Sequence, residues 1–193
     1  MAGTIVGLKN VRFALLTADT EETLTYGAPE ILAPAISATI TTNVTTETQY
    51  ADDRALETAT AIGATEVEFE LSDLPSAVVN KLLGVRKNAD GVLEYDSNIQ
   101  APYVAIMFEA QKSNGSKRLT VLAKGTFSIP EDAYETKGDG VSFQSKSITG
   151  TFVARTHDNV FKYQVDSDDE GVNATVIDNW FNAVYDPAAS TGV

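Results

Sequence analysis

The clearest pattern of hydrophobic and polar positions in the chain is a strict alternation over residues 66–71, which read Glu-Val-Glu-Phe-Glu-Leu. Successive side chains of a β-strand point to opposite faces of the sheet, so this order separates three apolar residues from three glutamates. Three carboxylates cannot be buried without partners, so the glutamate row must face water. The pattern predicts a half-buried antiparallel strand with a core face of Val67, Phe69 and Leu71 and a solvent face of Glu66, Glu68 and Glu70.

A second strand comes before this one and runs into an unusually long polar stretch. Ile36, Ala38, Ile40 and Val44 alternate with polar residues, which predicts a strand that begins near residue 36. Residues 43–63 are rich in threonine and charge and carry too little apolar content to form a core. We interpret residues 43–63 as a long polar loop between two strands, and such loops usually contact another molecule.

Two segments carry the spacing of amphipathic helices. Residues 73–83 place apolar side chains at helical intervals, with Ser72 or Asp73 as the cap and Gly84 at the end. Residues 174–185 follow Asn173 as a cap and form a single apolar stripe of Ile177, Trp180, Phe181 and Val184. The stripe predicts that Trp180, the only tryptophan of the chain, anchors a C-terminal helix to the sheet.

The remaining patterns predict further strands. They are a first strand at 8–16, a hairpin of 102–111 and 117–128 around the Asn114-Gly115 turn, and strands at 141–155 and 159–165, with a polar loop at 130–140 that turns at Gly138-Asp139-Gly140. The sum is about eight strands and two short helices. We therefore predict a mainly β protein, one domain over residues 1–193, built as a single β-sandwich or partly closed barrel with one flanking short helix and a C-terminal helix.

Composition and charge narrow the possible functions. The chain has 193 residues, no cysteine and a formal net charge of −13 at pH 7. Such an acidic chain lacks the surplus of lysine and arginine that a DNA-binding groove needs. It has no apolar run of about 18 residues, so we expect no membrane span, and its first residues lack the pattern of a secretion signal.

The chain offers few groups for catalysis or metal binding. His157, the only histidine, lies in a polar turn, and a lone histidine makes neither a triad nor a zinc site convincing. Residues 166–171 partly match a calcium loop, but position twelve is Ile177 where a bidentate glutamate is needed. Asp52 and Asp53 are neighbours in an extended segment and do not face each other as a catalytic pair. With no phosphate-binding glycine loop either, we expect no enzyme, no metal and no cofactor.

Several segments together resemble one known family. They are Gly7-Leu8-Lys9-Asn10-Val11 at the start, Tyr50-Ala51-Asp52-Asp53 in the polar stretch, the strand and helix of 67–83, and Asn179-Trp180-Phe181-Asn182-Ala183-Val184-Tyr185-Asp186-Pro187 near the end. In this order and spacing they resemble the major tail proteins, or tail tube proteins, of long-tailed non-contractile phages of Gram-positive bacteria.

The resemblance implies a structural virion protein. Such proteins have a β-sandwich with a flanking helix, and six copies form a ring whose inner strands join into a lumen barrel. Rings stack into the tube through which the phage DNA is ejected, and a long loop between the second and third strands contacts neighbouring subunits or the next ring. The implied partners are copies of the chain itself and the tail initiator, terminator and tape-measure proteins, first in the host cytoplasm and then in the virion tail.

The resemblance assigns roles to two groups of residues. In the polar stretch we expect Tyr50 to be a buried anchor between subunits and Asp52, Asp53 and Arg54 to make charged contacts across the boundary. We expect Glu66, Glu68 and Glu70 to line the lumen, where an acidic wall lets double-stranded DNA pass without specific binding. Two alternatives stay open, another virion β-module such as a capsid decoration protein and a carbohydrate-binding β-sandwich that uses Tyr50, Asp52 and Asp53.

Overall fold

The computed structural model describes residues 3–136 and 143–187, and within them it contains eleven strands and two helices. The strands are β1 (Ile5–Asp19), β2 (Leu24–Tyr26), β3 (Glu30–Ile31), β4 (Ala35–Ala51), β5 (Arg54–Leu71), β6 (Arg86–Lys87), β7 (Leu93–Glu94), β8 (Val104–Lys112), β9 (Lys117–Phe127), β10 (Lys146–Val153) and β11 (Lys162–Asp166). The helices are α1 (Ser76–Leu83) and α2 (Ala174–Asn179). The turn expected at Gly138-Asp139-Gly140 lies outside the described residues.

The main sheet is antiparallel throughout and divides at β9. Its strand order is β2-β1-β8-β9-β10-β5-β4, and β3 adds to β1. The first part of β9 pairs with β11 and the last part with β10. Because β9 pairs with two different strands along the same edge, the sheet bends there and one half folds over the other. The predicted class of mainly β, sandwich-like architecture is confirmed, and the path of paired strands in the described residues stays open, without a closed barrel.

One core fills the space between the two halves of the sheet. Phe13 and Ile106 from one half pack with Phe69 and Ile148 from the other. The alternation predicted for β5 is confirmed, since Val67, Phe69 and Leu71 are fully buried. The Phe69 ring meets the Phe108 ring edge-on with centroids 6.0 Å apart, a preferred aromatic geometry that adds to the burial.

Two glycines allow close contact where β9 meets β10. A Cβ atom at Gly125 would lie 2.5 Å from Cδ1 of Phe152, and one at Gly150 would lie 2.8 Å from Cε1 of Phe127. The rings of Phe127 and Phe152 therefore lie over bare backbone and meet each other edge-on at 5.8 Å. This packing needs glycine at both positions, and it fills the core at the bend of the sheet.

The flanking helix α1 is present but begins later than expected. Val79, Leu82 and Leu83 are buried in the core, and Gly84 ends the helix with a φ of 69°. The predicted cap at Ser72 or Asp73 is wrong, because Pro75 occupies the N-cap position and makes no side-chain cap bond. The Pro75 carbonyl instead accepts hydrogen bonds from the amides of Val78 and Val79, which starts the first turn.

A second, smaller core covers the outer face of β8 and β9. Trp180 packs there with Met107, Val121 and Val184, and its ring stacks on Tyr185 at 5.4 Å. The anchoring role predicted for Trp180 is confirmed, since the side chain is 3% exposed. Both faces of β8 are therefore covered by protein.

The C-terminal helix is shorter than the predicted span of residues 174–185. The Asn173 side chain accepts a hydrogen bond from the Thr175 amide, so the predicted cap is confirmed. Helix α2 ends at Asn179, and the Trp180 and Asn182 amides bond three residues back, to Ile177 and Asn179. This tighter winding ends the helix and turns Trp180 and Val184 toward the sheet.

The expected loop at residues 43–63 is wrong as a description of the backbone. Strand β4 runs on to Ala51 and β5 begins at Arg54, so both strands extend through this stretch as one antiparallel hairpin. Threonine favours extended backbone, and the Thr46–Thr60 and Thr48–Thr58 pairs share side-chain hydrogen bonds across the hairpin.

Within the described residues, neither helix is long or apolar enough to cross a bilayer.

We predict that Phe69→Ala destabilises the body by about 3–5 kcal/mol, because it removes a fully buried ring from the aromatic cluster. Glu68→Ala on the opposite face of the same strand serves as the matched control and should change stability by less than about 0.5 kcal/mol. Denaturant unfolding followed by tryptophan fluorescence measures both variants. Equal unfolding midpoints for the two would contradict the assignment of faces in β5.

Candidate assembly surface

The glutamate row of β5 lies at the centre of an exposed sheet face. The register aligns each glutamate with a hydroxyl residue on both neighbouring strands, in the rows Ser37–Glu70–Ser147, Thr39–Glu68–Thr149 and Thr41–Glu66–Thr151. Glu66 and Glu68 are exposed and Glu70 is half-buried. Glu70 accepts hydrogen bonds from Ser37 at 3.3 Å and from Ser145 at 2.7 Å.

This glutamate face has a uniform chemistry. None of its nine row positions carries a cation, so three carboxylates stand among hydroxyl groups. Glutamates two residues apart on a strand are separated by about 7 Å along it, too far for a tight shared ion site. The face therefore repels anions, and it offers neutral hydrogen-bonding groups between its charges.

Residues 43–63 form a two-stranded ribbon that projects from the body. Residues 43–50 and 52–63 of the ribbon are all exposed. Nine residues of extended chain on each side give it a length of about 30 Å. A two-stranded hairpin with solvent on both faces has little stability of its own, and burial of this surface by a partner would add to it.

The two faces of the ribbon differ in polarity. One face pairs Val44 with Ile62 and continues through the threonine pairs, and the alternation places Tyr50 and Leu56 on it as well. All four of these apolar side chains are more than half exposed. The opposite face carries Glu47, Gln49 and Glu57. The extra residue at the register shift lies in β5, between Ile62 and Thr65, so β4 keeps its alternation there. Val44 therefore lies on the same face of β4 as Ile40.

The predicted contact residues lie together at the tip of the ribbon. Asp52 and Asp53 form the turn with φ angles of 49° and 55°, as a type I′ hairpin turn requires. Tyr50 and Arg54 flank the turn, and the Tyr50 side chain is 71% exposed. The structure thus brings Tyr50, Asp52, Asp53 and Arg54 together, whereas Glu66, Glu68 and Glu70 form a separate surface on the body. The burial of Tyr50 between subunits stays a prediction.

His157 takes part in a structural network. Its backbone amide and that of Thr156 donate to Asp19, which also accepts from Lys124 at 2.6 Å. Burial raises the pKa of Asp19, but the hydrogen bonds from Lys124, Thr156 and His157 outweigh it and lower the pKa to about 2. Asp19 therefore ties β1 to β9 and to the turn after β10.

In the loop that partly matches a calcium site, lysine and arginine side chains of the chain itself pair with the carboxylates. Carboxylate oxygens of Asp166, Asp168 and Asp169 lie within 4.8 Å of one another. Asp166 is held by Arg118 at 2.7 Å and by Lys112 at 2.7 Å, and Asp168 by Lys112 at 2.6 Å. The bond from Lys112 lowers the pKa of Asp168 to about 2. These ion pairs link β8, β9 and β11, and they already engage two of the three carboxylates, those of Asp166 and Asp168.

The structure also buries an arginine that the sequence pattern does not reveal. The Arg155 side chain is fully buried, pairs with Asp158 and donates to the hydroxyl groups of Tyr163 and Tyr26. Burial lowers the pKa of Arg155, but the bonds to Asp158 and Tyr26 outweigh it and raise the pKa above its usual value. The network holds β2 against β11. A charged residue in a polar turn gives no sequence signal of such burial.

The described residues thus define a class of protein. They form a bent antiparallel sheet with a projecting ribbon whose two faces differ. The acidic loop and His157 take part in structural bonds. This arrangement is typical of a protein that acts through contacts of its surface. Comparison with family models then identifies it. The chain belongs to the phage tail tube protein family, whose model matches residues 1–189.

The family assignment makes the chain a structural component of a virion tail and not an enzyme. Members of this family assemble into a tube, so copies of the chain are its first partners. A search of curated proteins found no match. The family favours a tail tube subunit over the capsid decoration protein and the carbohydrate-binding module that the sequence had left open.

We predict that Asp19→Asn lowers the free energy of unfolding at neutral pH but has little effect in strong acid, where the wild type has also lost the ionised carboxylate. The lowered pKa of Asp19 means that its ionised form stabilises the fold above about pH 4, by roughly 2 kcal/mol, and that this contribution disappears as the pH falls from about 4 to about 2. The difference in unfolding free energy between wild type and variant should therefore shrink over that range. Glu21→Gln at an exposed neighbouring site is the control, and a constant difference for Asp19→Asn would contradict the assignment.

Proposed function

We propose that this chain is the major tail tube subunit of a long-tailed, non-contractile phage of Gram-positive bacteria. In this proposal six copies form a ring, rings stack into a tube, and the tube conducts the DNA during ejection. The observation that carries the proposal is the ribbon of residues 43–63, which exposes both faces over about 30 Å beyond the body. An exposed surface of this kind is suited to contacts between subunits.

The ribbon supplies the contact between subunits. Its apolar face exposes Val44, Tyr50, Leu56 and Ile62, and burial of such side chains against another subunit contributes about 25 cal/mol for each Å² removed from water. Tyr50 suits the role of anchor because a tyrosine combines a large apolar ring with a hydroxyl that stays hydrogen-bonded. Asp52, Asp53 and Arg54 at the tip provide charged contacts that orient the subunits.

The free edge of β4 supports the joining of sheets between copies. Strand β4 ends the order of the main sheet, so its outer backbone groups have no strand partner among the described residues. Exposed edges of long strands pair readily with other strands. In the proposed ring the β4–β5–β10 sheets of six copies join through such edges around a common lumen.

The glutamate face is proposed to line that lumen. Six copies would place eighteen glutamates around the channel for each ring, and the hydroxyl rows between them contribute no positive charge. DNA phosphates are repelled by such a wall, so double-stranded DNA passes without specific binding. The net charge of −13 agrees with a conduit that must not retain the genome.

The remaining partners follow from a tube that starts and stops at defined points. We propose that the subunit assembles in the host cytoplasm on a tail initiator complex, around a tape-measure protein, and that a terminator protein closes the end. Threonine and charge on the ribbon keep the free subunit from pairing before an initiator is present.

Removal of the ribbon tests the assembly role. Deletion of residues 46–58 leaves residues 59 and 60 between the paired Thr45 and Ala61, and the changes Ala59→Asn and Thr60→Gly supply a favoured hairpin turn there. We expect a folded monomer that forms no tubes, as measured by circular dichroism and negative-stain electron microscopy beside the wild type. Tubes of normal width from the deleted protein would contradict the proposal.

Charge reversal tests the lumen. The triple change Glu66→Lys, Glu68→Lys and Glu70→Lys should permit tubes but slow DNA ejection from complemented phage by tenfold or more, because a basic wall binds phosphate. The control changes Glu21→Lys, Glu22→Lys and Asp90→Lys, which alter the net charge equally at exposed turns. Equal ejection rates for the two variants, or an assembled structure with these glutamates on the outer surface, would overturn the lumen assignment.

A further inference from the structure

An open cleft lies between the two halves of the sheet, beside the base of the ribbon. It has a volume of about 400 Å³ and receives side chains from β1, β4, β8, β9 and β11. Its floor is apolar and contains Leu8, Ala38, Ile40 and Phe108, which also belong to or pack against the main core. A volume in the range of roughly 300–1,000 Å³ is large enough to accept a bulky aromatic group.

The rim of the cleft is basic. Lys162 and Arg118 line one side, and no carboxylate residue contributes to the lining. Arg118 already forms an ion pair with Asp166. Lys162, by contrast, makes no ion pair with any carboxylate in residues 3–136 or 143–187. A half-buried, unpaired lysine over an apolar floor suits a ligand that combines an apolar group with a negative charge.

The tip of the ribbon has this combination. Tyr50 is 71% exposed and stands beside the carboxylates of Asp52 and Asp53. Among the described residues neither carboxylate forms an ion pair with the chain's own cations. Over residues 43–63 the ribbon carries four carboxylates and one cation, so it is acidic where the cleft is basic.

We propose that the cleft is the acceptor for the ribbon tip of a second copy of this chain. Tyr50 of one subunit enters the apolar floor of the next, and Asp52 and Asp53 meet Lys162 at the rim. The inference rests on the proposed function and extends it, because it names the surface on the neighbouring subunit that receives the ribbon.

The geometry makes the contact head-to-tail. The tip projects about 30 Å from the base of the ribbon, where the chain's own cleft lies, so the two surfaces of one subunit remain free for two different neighbours. A contact between unlike surfaces propagates from copy to copy, into a closed ring or an open filament. A contact between like surfaces would stop at a dimer.

Cross-linking tests the pairing of the two surfaces. The chain contains no cysteine, so Asp53→Cys combined with Lys162→Cys introduces the only two thiols. A short bismaleimide added to assembled tubes should convert more than half of the double variant into a ladder of dimers, trimers and longer chains on denaturing gels. The single variant Asp53→Cys should give less than a tenth as much product, and Asp53→Cys with Asp90→Cys should give no ladder.

The outcomes separate the inference from the proposed function. A wild-type protein that never forms tubes overturns both. Tubes of the double variant without a ladder, or dimers from the single variant at the same yield, overturn the cleft assignment and leave the tube assignment in place.

Charge variants decide the question if the double cysteine variant does not assemble. Lys162→Glu should reduce the yield of tubes at least tenfold, while Lys87→Glu on the short strand β6 should leave it unchanged. Asp52→Asn with Asp53→Asn keeps residues that tolerate positive φ and should lower the yield as well. Normal yields from Lys162→Glu would overturn the inference.

Discussion

The structure depends on the burial of β8 and β9 from both sides. Seven consecutive residues of β8, from Val104 to Ala110, are buried, and from Val104 to Phe108 their side chains alternate between the main core and the core around Trp180. Each large apolar side chain buried in this way contributes about 1.5–3 kcal/mol. Because the body gains its stability here, the rest of the chain can leave surfaces exposed that a small sandwich could not otherwise sustain.

The sheet bends because β9 has two different neighbours on one edge. Strand β11 follows its first part under the Trp180 core, and β10 follows its last part into the other half of the sandwich. The buried Arg155, between the end of β10 and the start of β11, pairs with Asp158 at this division, and Asp166 pairs with Arg118 at the other end of β11. Buried charges of this kind are tolerated because each one is paired and hydrogen-bonded. The bend then sets the direction in which β4 and β5 leave the body.

The parts of the fold that follow from local patterns were predictable from sequence. The alternation of residues 66–71, the hairpin at Asn114-Gly115, the cap at Asn173 and the anchoring of Trp180 each depend on neighbours close in the chain, and the structure confirms them. The grouping of Tyr50, Asp52, Asp53 and Arg54 was also predictable, since the four residues are adjacent.

Features that depend on distant residues were not predictable in this way. The sequence of the ribbon indicates a loop because a strand without a buried face lacks the apolar alternation by which strands are recognised. Its hydroxyl pairs become visible only when β4 and β5 are in register. The burial of Arg155 and the cleft beside Lys162 likewise arise from strands far apart in sequence, and no local signal announces them.

The ribbon and the glutamate face place opposite demands on the same acidic chain. Subunits of net charge −13 repel each other in solution, yet a tube can form only if many copies come into contact. Screening limits that repulsion to about 8 Å at physiological ionic strength, so what decides association is the pairing of groups that touch. In the proposed contact the ribbon carries Tyr50, Asp52 and Asp53 to the end of an arm about 30 Å long, away from the glutamates of its own body. In the contact that we propose, the same length that leaves the ribbon without a core in one subunit allows charged copies to meet at a surface where the charges are complementary.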